Sequence, residues 1–171
     1  MTKIGLLSDT HNYLDETICE HFKHCEEIWH AGDFGTVDIA DKLREGVKDA
    51  GGRQPIVRGV FGNIDGYDVR SVYPEKLRWK CERVEVAMTH IGGYPPKYNP
   101  TVKKELWADP PQLFICGHSH ILKVMYDAGL GCLHMNPGAA GRQGWQKVRT
   151  VIRFVIDGKD IKDCEVIELT K

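Results

Sequence analysis

Lys3-Ile-Gly-Leu-Leu-Ser-Asp-Thr-His11 opens with a short apolar run that stops at a polar cluster, and the chain repeats this pattern. The run has strand length, and Asp9, Thr10, His11 and Asn12 follow it directly. Residues 15–25 then place Ile18, Cys19 and Phe22 at helical spacing. A second apolar run, Glu27-Ile-Trp-His-Ala31, stops at Gly32-Asp33. Residues 37–49 read as another helix, closed by the turn signal Gly51-Gly52. Pro55-Ile-Val-Arg-Gly-Val60 stops in turn at Gly62-Asn63. Strand, helix, strand, helix, strand calls for a mostly parallel sheet with right-handed crossovers.

Outward from there the pattern changes. Residues 83–88 alternate and end at Thr89-His90, a loop follows at 92–96, and residues 99–108 read as one more helix. Residues 112–116 form an apolar strand ending at Gly117-His118-Ser119-His120. Strand-like runs at 122–126, 132–135, 148–156 and 164–169 come next, with hairpin signals at 129–131 and 157–159. Parallel units followed by antiparallel hairpins predict an α/β fold of two packed mixed β-sheets flanked by helices. No repeat, low-complexity tract or linker divides the chain, so residues 1–171 are expected to form one domain. A chain of this length buries roughly two-thirds of its unfolded surface, enough for a core without staples.

Charge and cysteine content exclude several classes. Twenty-three Lys plus Arg face twenty-four Asp plus Glu, a formal net charge of −1. Proteins that grip nucleic acid or anionic membrane by bulk charge carry a basic excess, so neither duplex nucleic acid nor membrane is an expected partner. Any phosphate handled here needs positive charge from another source. The six cysteines contain no Cys-x-x-Cys pair, which argues against a zinc ribbon or a redox motif and for six packed thiols. The opening apolar run is too short for a signal segment, and the expectation is a reduced, cytoplasmic protein.

The chemistry concentrates at strand ends. Five expected strands each deliver metal-binding residue types: Asp9 and His11, Asp33, Asn63, His90, then His118 and His120. Ligands of open α/β sheets bind beyond the carboxyl ends of parallel strands, so these groups fall on one edge. If the chain stays extended past the strand, Asp9 and His11 point the same way, as do His118 and His120. Each residue alone has an ordinary reading as a cap, a turn or a packed polar group. Seven such residues at five strand ends instead predict a metal site.

Asp9-x-His11, Gly32-Asp33, Gly62-Asn63-x-Asp65, His90 and Gly117-His118-x-His120 resemble, in order, the motif series of the calcineurin-like metallophosphoesterases. Asn136-Pro137-Gly138 and the small size are similar to the bacterial and archaeal phosphodiesterase branch, over residues 3 to about 142. The resemblance implies an αββα sandwich and two divalent ions. One would be held by Asp9, His11, Asp33 and His120, the other by Asp33, Asn63, His90 and His118, with Asp33 bridging. Ligation by nitrogen and oxygen without thiolate suits Mn²⁺, with Fe, Ni²⁺ or Zn²⁺ as alternatives.

The implied reaction is in-line attack on phosphorus by a metal-bridging hydroxide between ions about 3.5–4 Å apart. Two such ions, two aspartates and one hydroxide leave about one positive charge, which suits a phosphodiester monoanion. Many relatives carry a proton-donating His after Gly-Asn; here Ile64 stands there, so good leaving groups such as aryl esters are expected to react best. Relatives often carry another His two residues after the one matched by His90, where this chain has Ile91-Gly92-Gly93. Asn63 and Arg142 are candidate substrate contacts, His134 a candidate support or packed residue, and Tyr13, Tyr94 and Tyr98 candidate pocket walls. Alternatives are a phosphomonoesterase or nuclease using the same centre, or a protein-binding module on the same fold, as in a retromer subunit. Relatives of this size often form homo-oligomers, which the resemblance extends to this chain.

Overall fold

The computed structural model describes residues 1–169. Residues 170 and 171, the end of the expected 1–171 unit, lie outside the described residues. Strands β1 (Thr2–Leu7), β2 (Glu27–His30) and β3 (Ile56–Gly59) pair in parallel, as the repeating opening pattern requires. Strand β11 (Arg149–Asp157) runs antiparallel against β1, and β12 (Asp160–Leu169) completes the order β12-β11-β1-β2-β3. The second sheet has the order β4-β5-β8-β10-β9. Its members are β4 (Lys76–Cys81), β5 (Val84–Thr89), β8 (Leu113–Ile115), β9 (Leu122–Asp127) and β10 (Cys132–Pro137). Here β5, β8 and β10 are parallel, while β4 and β9 are antiparallel edges. A two-strand ribbon, β6 (Gly93–Tyr94) with β7 (Lys97–Tyr98), lies between β5 and β8 in the chain.

Both sheets are mixed, and the core has three layers. Ile4 and Leu6 of β1 meet Val84, Val86, Leu113, Ile115, Ile152 and Phe154 between the sheets. Leu7 points the other way, into the layer formed by Phe22, Ile28, Phe34, Ile39 and Leu43 under α1 (Glu16–His21) and α2 (Asp38–Val47). Strands covered on both faces need apolar residues at consecutive positions, which is why β1 reads as an unbroken run. Gly5 permits this layer, because a Cβ there would lie 2.6 Å from the Phe22 ring. On the outer face of the second sheet, Val102 and Leu106 of α4 (Pro100–Ala108) pack with Tyr98 and Phe114.

The structure departs from the sequence reading in local detail. Helix α1 ends at His21, and residues 22–25 wind back through turns that seat Cys25 in the core. Strand β4 was not expected; its Lys76, Arg78 and Lys80 alternate with inward Leu77, Trp79 and Cys81, the charged pattern of a protected edge strand. Helix α3 (Tyr67–Arg70) is too short to show a period. Strand β12 starts at Asp160 rather than 164, and Cys164 is exposed on it, so not every thiol is packed.

Candidate metal centre

Three parallel strands of one sheet and two of the other end at a common edge. Asp9 and His11 follow β1, Asp33 follows β2, Asn63 follows β3, His90 follows β5, and His118 and His120 follow β8. Backbone bonds tie these loops together: the N–H groups of Asp9 and His11 donate to the Gly32 and Asp33 carbonyls at 3.0 Å each, and Gly117 donates to His90 at 2.9 Å.

The loops are not extended. Asp9, His11, Asp33, His118 and His120 have φ of 56°, 46°, 58°, 70° and 62°. Asp9 and His11 therefore converge through left-handed turns, which corrects the extended-chain expectation; His118 and His120 diverge into different clusters. Non-glycine residues in this region cost on the order of 1–3 kcal/mol each and concentrate at functional sites.

Ligand atoms of Asp9, His11 and His120 lie within 4.8 Å of one another, and those of Asp33, His90 and His118 do the same. Asp33 Oδ2 lies between the groups, 3.4 Å from His11 Nε2 and 3.1 Å from His90 Nε2. Asn63 Oδ1 joins the second group, 3.1 Å from His90 Nε2 and 3.0 Å from His118 Nδ1. His120 Nε2 is 3.2 Å from Asp9 Oδ1.

Most of these side chains have one atom tied back and another left open. Asp9 Oδ2 accepts from Ser8 Oγ at 2.6 Å and from the His118 N–H at 3.1 Å, while Oδ1 is buried without a hydrogen-bond partner. Asp33 Oδ1 accepts from the Ile64 N–H at 3.0 Å, leaving Oδ2 facing inward. His90 Nδ1 donates to the Ala31 carbonyl at 2.7 Å, and His120 Nδ1 to Gln146 Oε1 at 2.9 Å, which leaves each Nε2 lone pair toward the carboxylates. His11 Nε2 is buried and lacks hydrogen-bond geometry to either aspartate. Orphaned buried acceptors with oriented imidazoles are what a cation site requires.

The electrostatics agree. Burial pushes the Asp9 and Asp33 carboxyls up, but the facing imidazoles, His11 and His120 at Asp9 and His11 and His90 at Asp33, hold both well below the usual carboxylate range. The Asp33 and Asp9 carboxylates hold His11 up at about 9. His120 is raised by Asp9; His90 is raised by Asp33 and Asp9 against its own burial. His118 is lowered by burial and by His90. Two buried carboxylates thus demand positive charge, from protons or from cations; cations would displace protons from the imidazoles. The donor set fits divalent ions.

Other residues carry weaker sequence signals. Asp65, part of the quoted motif but without an expected role, is buried and binds the N–H groups of Gly62, Phe34 and Gly35. Ser8 and Gln146 were not foreseen; Gln146 lies 26 positions from His120, beyond any local spacing signal. Tyr98 is buried with its hydroxyl donating to Asp127, so it is no free pocket wall. His134 is buried against Phe114 and Tyr98, and Arg142 lies 4.2 Å over the Tyr13 ring. A groove of about 400 Å³ beside Asn63 and His90 is lined by Arg70, Lys76, Ile91 and Thr101. A larger depression of about 620 Å³ between α1 and α2 is lined by Cys19, Glu20, Lys23, Lys42 and Glu45 and contains none of the residues above.

Residues 2–159 match the model of the calcineurin-like phosphoesterase superfamily domain. The chain belongs to that superfamily. The superfamily uses divalent metal ions, and the two sheets with their few helices match its fold. Among solved structures, an archaeal phosphodiesterase is 19% identical, with a TM-score of 0.73 over 98% of this chain and 99% of its own. A predicted phosphoesterase from Streptococcus pneumoniae is 19% identical, with a TM-score of 0.64 and 98% of each chain covered. Vps29 from Entamoeba histolytica, complexed with zinc, is 15% identical, with a TM-score of 0.72 over 97% of this chain and 98% of its own. A search of curated protein sequences returned no match. At these identities the likeness concerns the phosphoesterase fold alone. Among the described residues no helix is long and apolar enough to cross a membrane.

Proposed function

We propose that this chain is a metal-dependent phosphodiesterase whose single domain, residues 1–171, acts on small or aryl diesters. The observation that carries the reading is the pair of buried carboxylates, Asp9 and Asp33, each with an oxygen aimed at oriented imidazoles. Asp9, His11, Asp33 and His120 would hold one ion; Asp33, Asn63, His90 and His118 would hold the other, with Mn²⁺ the favoured metal. When bound, two such ions supply Lewis acidity and lower the pKa of a coordinated water.

The chain's own residues set the rest. Ser8, Gln146, the Ile64 N–H and the Ala31 carbonyl hold the facing groups in one orientation. Asn63 turns its carbonyl oxygen toward His90 and His118, and its amide donors are available to a phosphate oxygen. Ile64 presents no proton to the leaving group, so the leaving oxygen is protonated from solvent, and aryl esters are favoured over alkyl esters. The near-neutral surface does not favour a duplex nuclease. Vps29 shares the fold, so the fold does not separate enzyme from binding module. The seven ligand-type side chains, all present and converging, favour catalysis. Free cysteines suit a reducing, cytoplasmic setting.

The test is hydrolysis of bis(4-nitrophenyl) phosphate and 4-nitrophenyl phosphate with each divalent metal, in the natural protein and in Asp33→Ala and His90→Ala. Faster diester turnover in Mn²⁺, lost in both variants, supports the reading. Retained turnover in both variants, or no turnover with any metal, overturns it.

A further inference from the structure

The two five-stranded sheets have four edge strands, and three of them are protected. Strand β4 carries Lys76, Arg78 and Lys80, β12 carries Lys162, Asp163 and Glu165, and β3 is only four residues long with Arg58 among them. The fourth edge, β9, places its charges at Lys123 and Asp127 and leaves three apolar residues between them. Val124, Met125 and Tyr126 are 40%, 37% and 63% exposed. All six β9 residues pair with β10 in unbroken register, so no bulge turns the strand away, and it contains no proline. Among the described residues the backbone of 122–126 bonds only to β10, which leaves the other side of the strand unpaired.

The register with β10 fixes the face on which each β9 side chain stands, because directly opposed residues share a face. Val124 and Tyr126 lie opposite Met135 and Leu133, on the side of the core between the sheets. Lys123, Met125 and Asp127 lie opposite Asn136, His134 and Cys132, on the outer face with Tyr98 and Phe114. Lys123 Nζ sits 4.1 Å over the Tyr94 ring, and Asp127 Oδ2 accepts from the Tyr98 hydroxyl at 2.9 Å. Neither charge has an ion-pair partner among the described residues.

We infer that β9 is a self-pairing edge: two copies of this chain join antiparallel along it, about a two-fold axis at Met125, and their second sheets become one continuous sheet. A two-fold axis normal to a sheet keeps every residue on its own face, so one residue of the strand must lie at the axis, opposite itself. A centre at Val124 would set Lys123 against Met125, and a centre at Tyr126 would set Met125 against Asp127. The centre at Met125 sets Lys123 against Asp127 and Val124 against Tyr126, so every pair matches. On the outer face, two Lys123–Asp127 pairs then flank the contact between the two Met125 side chains. On the inner face, two Val124–Tyr126 pairs extend the layer between the sheets. This self-complementary order of charge and apolar surface is what commits the edge to a second copy rather than to an unrelated strand.

Sedimentation velocity across micromolar concentrations tests this, and the protein is expected to sediment with twice the mass of one chain. Lys123→Asp and Asp127→Lys each set like charges face to face at both pairs, and each is expected to raise the dimer Kd about tenfold. Mixing the two variants restores opposite charges at both pairs, and with them the dimer. A monomer at every concentration, a dimer unmoved by either substitution, or a mixture that associates no more tightly than its components overturns the inference. A second measurement leaves Asp127 and its bond from Tyr98 intact. In a Cys164→Ser background, which removes the exposed native thiol, Met125→Cys sets two thiols directly opposite, at a separation a disulfide spans, whereas Val124→Cys sets them a diagonal apart. A covalent dimer on mild oxidation with Met125→Cys alone supports the inference; equal yields with both variants, or none with either, overturn it.

Discussion

Asp65 Oδ1 accepts a hydrogen bond from the Gly35 N–H at 2.8 Å and so ties the loop after β3 to the loop after β2. Its Oδ2 accepts from Gly62 at 2.8 Å and from Phe34 at 3.2 Å. One buried carboxylate thus holds the loops that present Asp33 and Asn63. Asp65→Ala leaves three N–H groups without this acceptor, and is expected to destabilise the fold by about 2–4 kcal/mol. Chemical denaturation measures this. Asp65→Asn retains one acceptor oxygen and should cost less; equal costs would show that the carboxylate does not join the loops.

Gly62 is a position where only hydrogen fits. A Cβ there would lie 2.0 Å from Asp33 Oδ1 and 2.4 Å from the Asp33 nitrogen. Gly62→Ala must displace the carboxylate between the two clusters, and a shift of about 1 Å is worth about a hundredfold in rate. Steady-state kinetics at saturating Mn²⁺ tests this, and undiminished turnover would contradict it.

Gln146 fixes which His120 nitrogen faces Asp9. Gln146→Leu removes the acceptor and frees the ring to rotate or change tautomer. Metal affinity is expected to drop by about 10–100-fold, measured by calorimetric titration with Mn²⁺.

Stability of the metal-free protein should fall with acid because of two histidines outside the centre. Burial lowers His30 to about 3, while burial and then Lys123 lower His134 to about 4. Both are neutral in the folded state at pH 5 and largely protonated when unfolded, where the ordinary value is about 6.5. The unfolded chain binds more protons between those limits, so stability rises with pH across that window and is lost as pH falls through it. At pH 5 each costs about 2 kcal/mol relative to pH 7.5. His134→Phe should flatten its share, and denaturation midpoints at the two pH values check this.

Metal should also stabilise the fold, because only the folded chain brings the two buried carboxylates and their facing imidazoles together. At one hundred times Kd a ligand adds about 2.7 kcal/mol, which for a domain of this size raises Tm by about 5–10 °C. A thermal scan with and without Mn²⁺ measures the shift. Asp33→Ala should reduce it strongly.

Much of the architecture was legible because its signals are local. The runs at Ile4–Leu7 and Ile28–Ala31 are apolar except for the buried His30 and need a doubly covered strand, and their polar stops fall at the sheet edge. Strand β4 was hidden because an edge strand covered on one face alternates with charge and lacks that run. The extended-chain reading of Asp9-x-His11 failed for a different reason: φ near 50° is set by the neighbouring loop, whose Gly32 and Asp33 carbonyls receive the Asp9 and His11 N–H groups.

By itself the sequence determined which residue types arrive at the edge, since each is covalently fixed to the end of its own strand. Tertiary structure alone decided how they divide. Asp33 lies between two imidazole clusters, His118 and His120 separate although two residues apart, Gln146 supports His120 from a distant loop, and Asp65 ties the Asn63 loop to the Asp33 loop. Those relationships depend on where the two sheets pack together, and no local spacing encodes a distance across that junction.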